Sequence, residues 1–244
     1  MKTLKNLFFG ILLFIAAVIA LAYAFNYQHL FNAIALTYLK GETSATIDDG
    51  VDFPSRNIEK GVAQPWQKDS LYNKTSLPKN IVDNLKSTNS ASFLVIKDGK
   101  LVHEEYFGEY KPTTQTNSFS MAKAITVLLM GLAIEDHKIK SENQKFADFY
   151  PNFNEVKYGN ELTLRDLAAM EAGYYWDEDY RNPFLQNPRI YYGKNMAEAL
   201  LKSPQFEAKP GSRFEYQSGA TQLLGFAIRK AVNVPLSAYA SQKL

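Results

Sequence analysis

Ser118-Phe-Ser120-Met-Ala-Lys123-Ala-Ile-Thr-Val-Leu-Leu-Met-Gly-Leu-Ala-Ile134 is the stretch on which the reading of this chain turns. From Met121 to Ile134 it holds one charge, Lys123, and is otherwise apolar on every side, the pattern of a helix buried all round. Ser120 and Lys123 are spaced i, i+3, which makes them neighbours on one helical face. A serine hydroxyl is a weak nucleophile until a base takes its proton. A lysine lodged among apolar, electropositive surroundings holds its own proton less firmly and can serve as that base. N–H groups of a first helical turn lack intrahelical partners and are available to a developing oxyanion. On these residues alone two readings stay open: a catalytic Ser-x-x-Lys, or a surface lysine snorkelling from the first turn. The same spacing recurs at Ser76-Leu-Pro-Lys79, where an intervening proline and a polar loop mark it as surface.

Upstream, Ser92-Phe-Leu-Val-Ile-Lys97 and Lys100-Leu-Val-His-Glu-Glu-Tyr106 are β-rich runs joined by Asp98-Gly99, which predicts a hairpin with a type I′ turn. A short helix is expected over Pro78–Leu85, with proline near its first turn. Downstream, Thr163-Leu-Arg-Asp166 predicts a capped helix start, with Gly173 as its close. Another short helix should open at Asn195 and end before Pro204, and Gly219–Val232 and Leu236–Leu244 return to a helical pattern. Residues 40 to about 75 are polar and predict an extended lead-in without elements of its own. A lone hairpin is marginal in water. The expectation is therefore an α+β domain of which this chain is the front part, its C-terminal strands lying beyond Leu244.

Ahead of the domain, Leu7 to Phe25 is free of charge and proline, long enough for a bilayer core and longer than an ordinary signal-peptide core. Lys2 and Lys5 would hold the N-terminus in the cytoplasm and send the rest outward. Small-residue patterns at Ala20-Leu-Ala22 and Ala22-Tyr-Ala24 leave cleavage open, although the uncharged run continues to Leu39 and favours an uncleaved anchor. The expected organisation is thus a signal anchor over 1–39, a polar lead-in over 40–77 and the domain over 78–244.

Composition narrows the chemistry. Lys+Arg 27 against Asp+Glu 25 leaves a net charge of +2, which the two N-terminal lysines account for, so the domain is neutral and nucleic acid is not an expected partner. Cys 0 removes thiolate nucleophiles, disulfides and zinc–cysteine or iron–sulfur sites. There is no Gly-x-Ser-x-Gly elbow, phosphate loop or dinucleotide fingerprint. His103-Glu104 begins like a zinc motif, but Phe107 stands where the second histidine belongs, so no metal is expected.

Four blocks in order carry a resemblance: Lys97-Asp-Gly-Lys-Leu-Val-His-Glu-Glu-Tyr106, Ser120-Met-Ala-Lys123, Leu162-Thr-Leu-Arg-Asp-Leu-Ala-Ala-Met-Glu-Ala-Gly173 and Pro210-Gly-Ser-Arg-Phe-Glu-Tyr-Gln-Ser218. Over residues 78–244 the chain resembles the serine β-lactamase-like hydrolases, which include class C β-lactamases, D-alanyl-D-alanine carboxypeptidases, esterases and 6-aminohexanoate-dimer hydrolases. The Trp176-Asp-Glu after the third block brings it nearest the esterase and aminohexanoate-dimer branch. The resemblance implies a β-lactamase-like fold, an antiparallel sheet with a helical subdomain. It also implies an exported hydrolase of ester or amide substrates that needs no cofactor. Ser120 is implied as the acylated nucleophile, Lys123 as its base and Tyr216 as the proton shuttle of a Tyr-x-Asn motif, with Ser218 and Trp176 on the substrate side.

Three departures motivate a second reading, a non-catalytic envelope-binding module of the same fold. Ser218 replaces the usual Asn, Glu171-Ala172-Gly173 replaces the usual Thr-Ser-Gly, and no Lys-Thr-Gly or His-x-Gly strand occurs before Leu244. That strand supplies an oxyanion donor worth about 10²–10³ in rate, so the chain as it stands is expected to be nearly inactive.

Overall fold

In a computed structural model, which describes residues 2–180, 182–193 and 195–244, the chain is a helix-rich α+β protein. Its elements are α1 (Lys2–Ala24), α2 (His29–Leu36), β1 (Gln67–Lys68), α3 (Lys79–Ser87), β2 (Ser92–Lys97), β3 (Lys100–Tyr106), α4 (Ala122–Glu135), α5 (Leu164–Ala168), α6 (Gln186–Tyr192), α7 (Met196–Leu201), α8 (Ser218–Val232) and α9 (Leu236–Lys243). They fall into two units, Met1–Ile58 with Ser118–Leu244, and Glu59–Asn117.

The smaller unit carries the sheet, in the order β1-β3-β2. β2 and β3 pair antiparallel from Ser92↔Tyr106 to Lys97↔Lys100, and the turn residues Asp98 and Gly99 both adopt positive φ (50° and 73°), as a type I′ turn demands. The third strand comes from the lead-in that was expected to form no elements: Gln67 and Lys68 pair in parallel with Lys100 and Leu101. Its polar composition hid it, because two residues are too few to show any alternation. Asn73 then fastens the lead-in to β3, its side chain donating to the Glu104 carbonyl and accepting from the Glu104 N–H.

The larger unit is built around α8, which lies against both α4 and α5. Leu223, Leu224, Ala227 and Ile228 of α8 are fully buried, together with Phe146, Phe153, Leu162, Leu164 and Leu167. Phe146 meets Phe153 edge-on at 4.6 Å and stacks on Tyr150 at 5.1 Å, geometries that aromatic quadrupoles favour. Thr163 and Asp166 form the expected capping box on α5, each side chain bonded to the other's backbone N–H. The helix closes earlier than expected, at Met170 with φ 59°. Gly173 (φ 61°) instead serves a close chain crossing, where an added Cβ would lie 2.3 Å from the Ala208 carbonyl oxygen.

Two further differences concern apolar runs. α4 was expected to be buried all round, yet Met121, Ile125 and Leu128 are exposed while Leu129, Met130 and Ala133 are buried. Apolar composition says that a face favours cover but not which element supplies it. At the N-terminus the helical path stops after Ala24, with Asn26 left-handed (φ 58°). Arg189 donates to the Asn26 carbonyl there, and α2 packs on α6 as a separate helix. α1 itself is long and apolar enough to cross a membrane, and none of it is buried.

The start of α8 is set by close packing. A Cβ on Gly219 would sit 2.5 Å from Trp176 Cε3, inside the ring system of a buried tryptophan. Gly219→Ala should therefore cost about 1–3 kcal/mol through overpacking. Urea denaturation measures it, and an unchanged midpoint would refute the contact.

Candidate active site

The chain enters α4 through a 3-10 turn over Phe119–Met121, and Phe119 there takes a left-handed φ of 45°. A bulky aromatic in that region costs on the order of 1–3 kcal/mol, a strain that persists only where the surroundings impose it. Ser120, next in line, is thereby turned out to solvent at the helix entrance. One turn on, Lys123 is half-buried, and its Nζ donates to Ser120 Oγ at 3.1 Å. The same Nζ donates to Ser218 Oγ at 3.0 Å, across 95 residues of sequence. The Lys123 nitrogen thus bridges the hydroxyls of Ser120 and Ser218.

Tyr216 approaches by its ring face, with the Lys123 nitrogen 5.0 Å from the ring centroid, a cation–π arrangement. Its hydroxyl is bonded to neither Ser120 nor Lys123, and the residue is 43% exposed. Trp176 lies beneath, 5% exposed, its ring against Gly219 and its indole N–H donating to Glu178 Oε2 at 2.5 Å. The structure thus gathers Ser120, Lys123, Tyr216 and Ser218 at one place and sets Trp176 under them as packing.

Glu178 completes the cluster. Its Oε2 also accepts the Ser218 backbone N–H at 2.8 Å, and its Oε1 accepts the Ser218 hydroxyl and the Tyr180 hydroxyl, both at 2.5 Å. The backbone bond serves an N–H at the start of α8, where a carboxylate is favoured by the helix dipole. Burial pushes the Glu178 carboxyl up, but the Ser218, Tyr180 and Trp176 donors together outweigh burial and hold it below its ordinary value. Beside it Gln217 is fully buried and donates to the Tyr174 carbonyl at 2.7 Å.

A family model described as Beta-lactamase matches residues 78–244, more than half the chain. The chain belongs to the Beta-lactamase family. The match takes in every residue of the cluster, and the family is of serine-hydrolase type. A relative from Escherichia coli (strain K12), provisionally named a D-alanyl-D-alanine carboxypeptidase, is 23% identical over 177 residues, 64% of this chain and 40% of that protein. A relative of the same name from Escherichia coli O157:H7 is 26% identical over 175 residues, 63% of this chain and 40% of its own length. The chain therefore spans about two fifths of the curated relatives it matches. Among solved structures, one provisionally named a 6-aminohexanoate-dimer hydrolase from Bacillus anthracis superposes with a TM-score of 0.58 at 21% identity, covering 86% of this chain and 57% of that one. At that identity the likeness establishes a β-lactamase-like fold.

Glu178, Gln217 and the left-handed Phe119 are the site features that sequence reasoning missed. Glu178 stood in view inside Trp176-Asp-Glu, but nothing in one sequence joins it to a serine 40 positions away. Its titration gives a direct check. Held below the 4.5 of the unfolded chain, the carboxyl contributes stability that is complete above pH 4.5 and is lost as pH falls through the lower folded value. Denaturation midpoints should fall as pH drops below about 4.5, and Glu178→Gln should flatten that fall. Equal slopes for the two proteins would show that Glu178 takes no part in it.

Proposed function

We propose that the full-length protein is an exported serine hydrolase that cleaves an ester or amide through an acyl-enzyme on Ser120. The observation that carries this reading is the Lys123 nitrogen held within hydrogen-bond reach of Ser120 Oγ at 3.1 Å. As the free amine, Lys123 takes the Ser120 proton while Oγ bonds to the acyl carbon. The acyl C–O or C–N bond breaks, and the leaving group receives that proton by way of the Tyr216 phenol. Water then adds hydroxide to the acyl carbon and returns a proton to Ser120, releasing the acid. The exposure of Tyr216, 43%, leaves its ring free to bring the hydroxyl round to the leaving group. N–H groups of the first turn of α4 stand close to Ser120 for the oxyanion. Ser218 and Trp176 shape the substrate side, Ser218 by contact and Trp176 from below.

α1 supplies the address. With Lys2 and Lys5 on the cytoplasmic side, it anchors the protein in the cytoplasmic membrane and leaves the hydrolase outside. The carboxypeptidase names of the relatives support an envelope setting and a peptide-like or small ester or amide substrate.

A fluorophosphonate probe on the full-length protein should label Ser120, with Ser120→Ala unlabelled and Lys123→Ala slowed by about 10²-fold or more. Undiminished labelling of Ser120→Ala would sink the assignment, whereas turnover that vanishes in Lys123→Ala excludes a non-catalytic binding module. Tyr216→Phe keeps the ring over Lys123 but has no phenol proton to pass on. It should lose about 10²-fold on an anilide, whose leaving group needs a proton, and little on a nitrophenyl ester, whose leaving group does not. Equal losses on both substrates would assign Tyr216 to packing.

A further inference from the structure

The bonds around Glu178 divide into two kinds. Oε2 receives the Ser218 backbone N–H and the Trp176 indole N–H, donors fixed in direction and unable to accept. Oε1 receives the Ser218 and Tyr180 hydroxyls, which rotate and can either give or accept. While the carboxylate is ionised it accepts only, so the Ser218 proton points at Oε1. Towards Lys123, 3.0 Å away on its other side, Ser218 Oγ can then only accept.

From this we infer that Glu178 is a positioning residue that acts on Lys123 through Ser218, resting on the proposed role of Lys123 as base. An unprotonated lysine has two N–H donors and one lone pair, and the lone pair must face the Ser120 proton. A Ser218 hydroxyl free to turn would donate into that lone pair and compete with Ser120. Glu178 prevents the competition by holding the Ser218 proton away, and Lys123 is left with an N–H on Ser218 and its lone pair for Ser120.

Glu178→Gln reverses the arrangement with little change of shape. The two fixed N–H donors require the amide oxygen at the Oε2 position, which puts the amide NH₂ at Oε1 facing both hydroxyls. Ser218 must then accept from Gln, and its proton is released to Lys123 or to the Tyr180 hydroxyl oxygen, which is also within its reach.

The test is a double-mutant cycle on the full-length protein, read as the second-order rate of fluorophosphonate labelling, with a denaturation midpoint for each variant. Glu178→Gln should slow labelling about ten-fold, the factor that one misdirected hydrogen bond of ordinary strength amounts to. Ser218→Ala, which removes the competitor along with a hydrogen-bond partner of Lys123, should slow it by less than Glu178→Gln does. The combined Glu178→Gln/Ser218→Ala protein should match Ser218→Ala alone, so that deleting the hydroxyl rescues the glutamine variant. Losses that simply multiply, as two structural defects would, overturn the inference. So does a Glu178→Gln protein that labels at the wild-type rate. If Glu178→Gln fails to fold, Ser218→Ala still decides, because a loss beyond about ten-fold there makes the hydroxyl indispensable and refutes the competition. Wild-type protein unlabelled at Ser120 would overturn the proposed hydrolase itself, and the inference with it.

Discussion

The segment from Tyr174 to Glu178 lies along the entrance of α8, and the arrangement of the site depends on that one line of contact. Three successive residues of the α8 entrance each meet a different residue of the segment. Gln217 bonds the Tyr174 carbonyl, Ser218 bonds the Glu178 carboxylate twice, and Gly219 receives the Trp176 ring. None of these contacts tolerates a shift by one residue, since an amide, a hydroxyl and an absent side chain are not interchangeable. The register they impose fixes Ser218 Oγ relative to α8, and the packing of α8 on α4 brings that oxygen to Lys123. A separation of 95 residues is thus closed to 3.0 Å by packing rather than by any local motif.

Local chemistry was legible where it is written in adjacent residues. Asp98-Gly99 specifies its turn because both positions need positive φ, and Thr163 with Asp166 specifies a cap because each can reach the other's N–H. Ser120 and Lys123 meet for the same reason, being one helical turn apart. Pairings through space were not legible. β1 is two polar residues that become a strand only by lying beside Lys100 and Leu101, and α5 ends ahead of a left-handed Met170 while Gly173 serves a chain crossing. Composition likewise announced α4 as apolar without telling which of its faces would be covered, and the face through Met121, Ile125 and Leu128 is open.

The strain at Phe119 and the exposure of Ser120 belong together. A hydroxyl inside a regular helical turn bonds readily to a carbonyl one turn back, which would occupy it. The left-handed residue ahead of α4 brings Ser120 into a 3-10 turn, where its Oγ meets Lys123 and solvent. An unfavourable backbone conformation is tolerated here because α4 is anchored further along by Leu129, Met130 and Ala133, whose burial far exceeds the local cost.

The presence of serine at position 218 also gives Glu178 its reason. A serine hydroxyl both gives and accepts, so the direction of its bond to a lysine is not settled by the residue type. Its proton can rotate onto whichever neighbour has a lone pair. Holding that proton away from Lys123 takes a second acceptor, and an ionised carboxylate at 2.5 Å is the strongest that side chains provide. Placing that carboxylate behind the serine, rather than in contact with the lysine, has a further consequence. Both hydrogen-bond partners of Lys123 are thereby neutral hydroxyls rather than a carboxylate. Ser218 and Glu178 thus stand as a hydrogen-bonded pair behind Lys123.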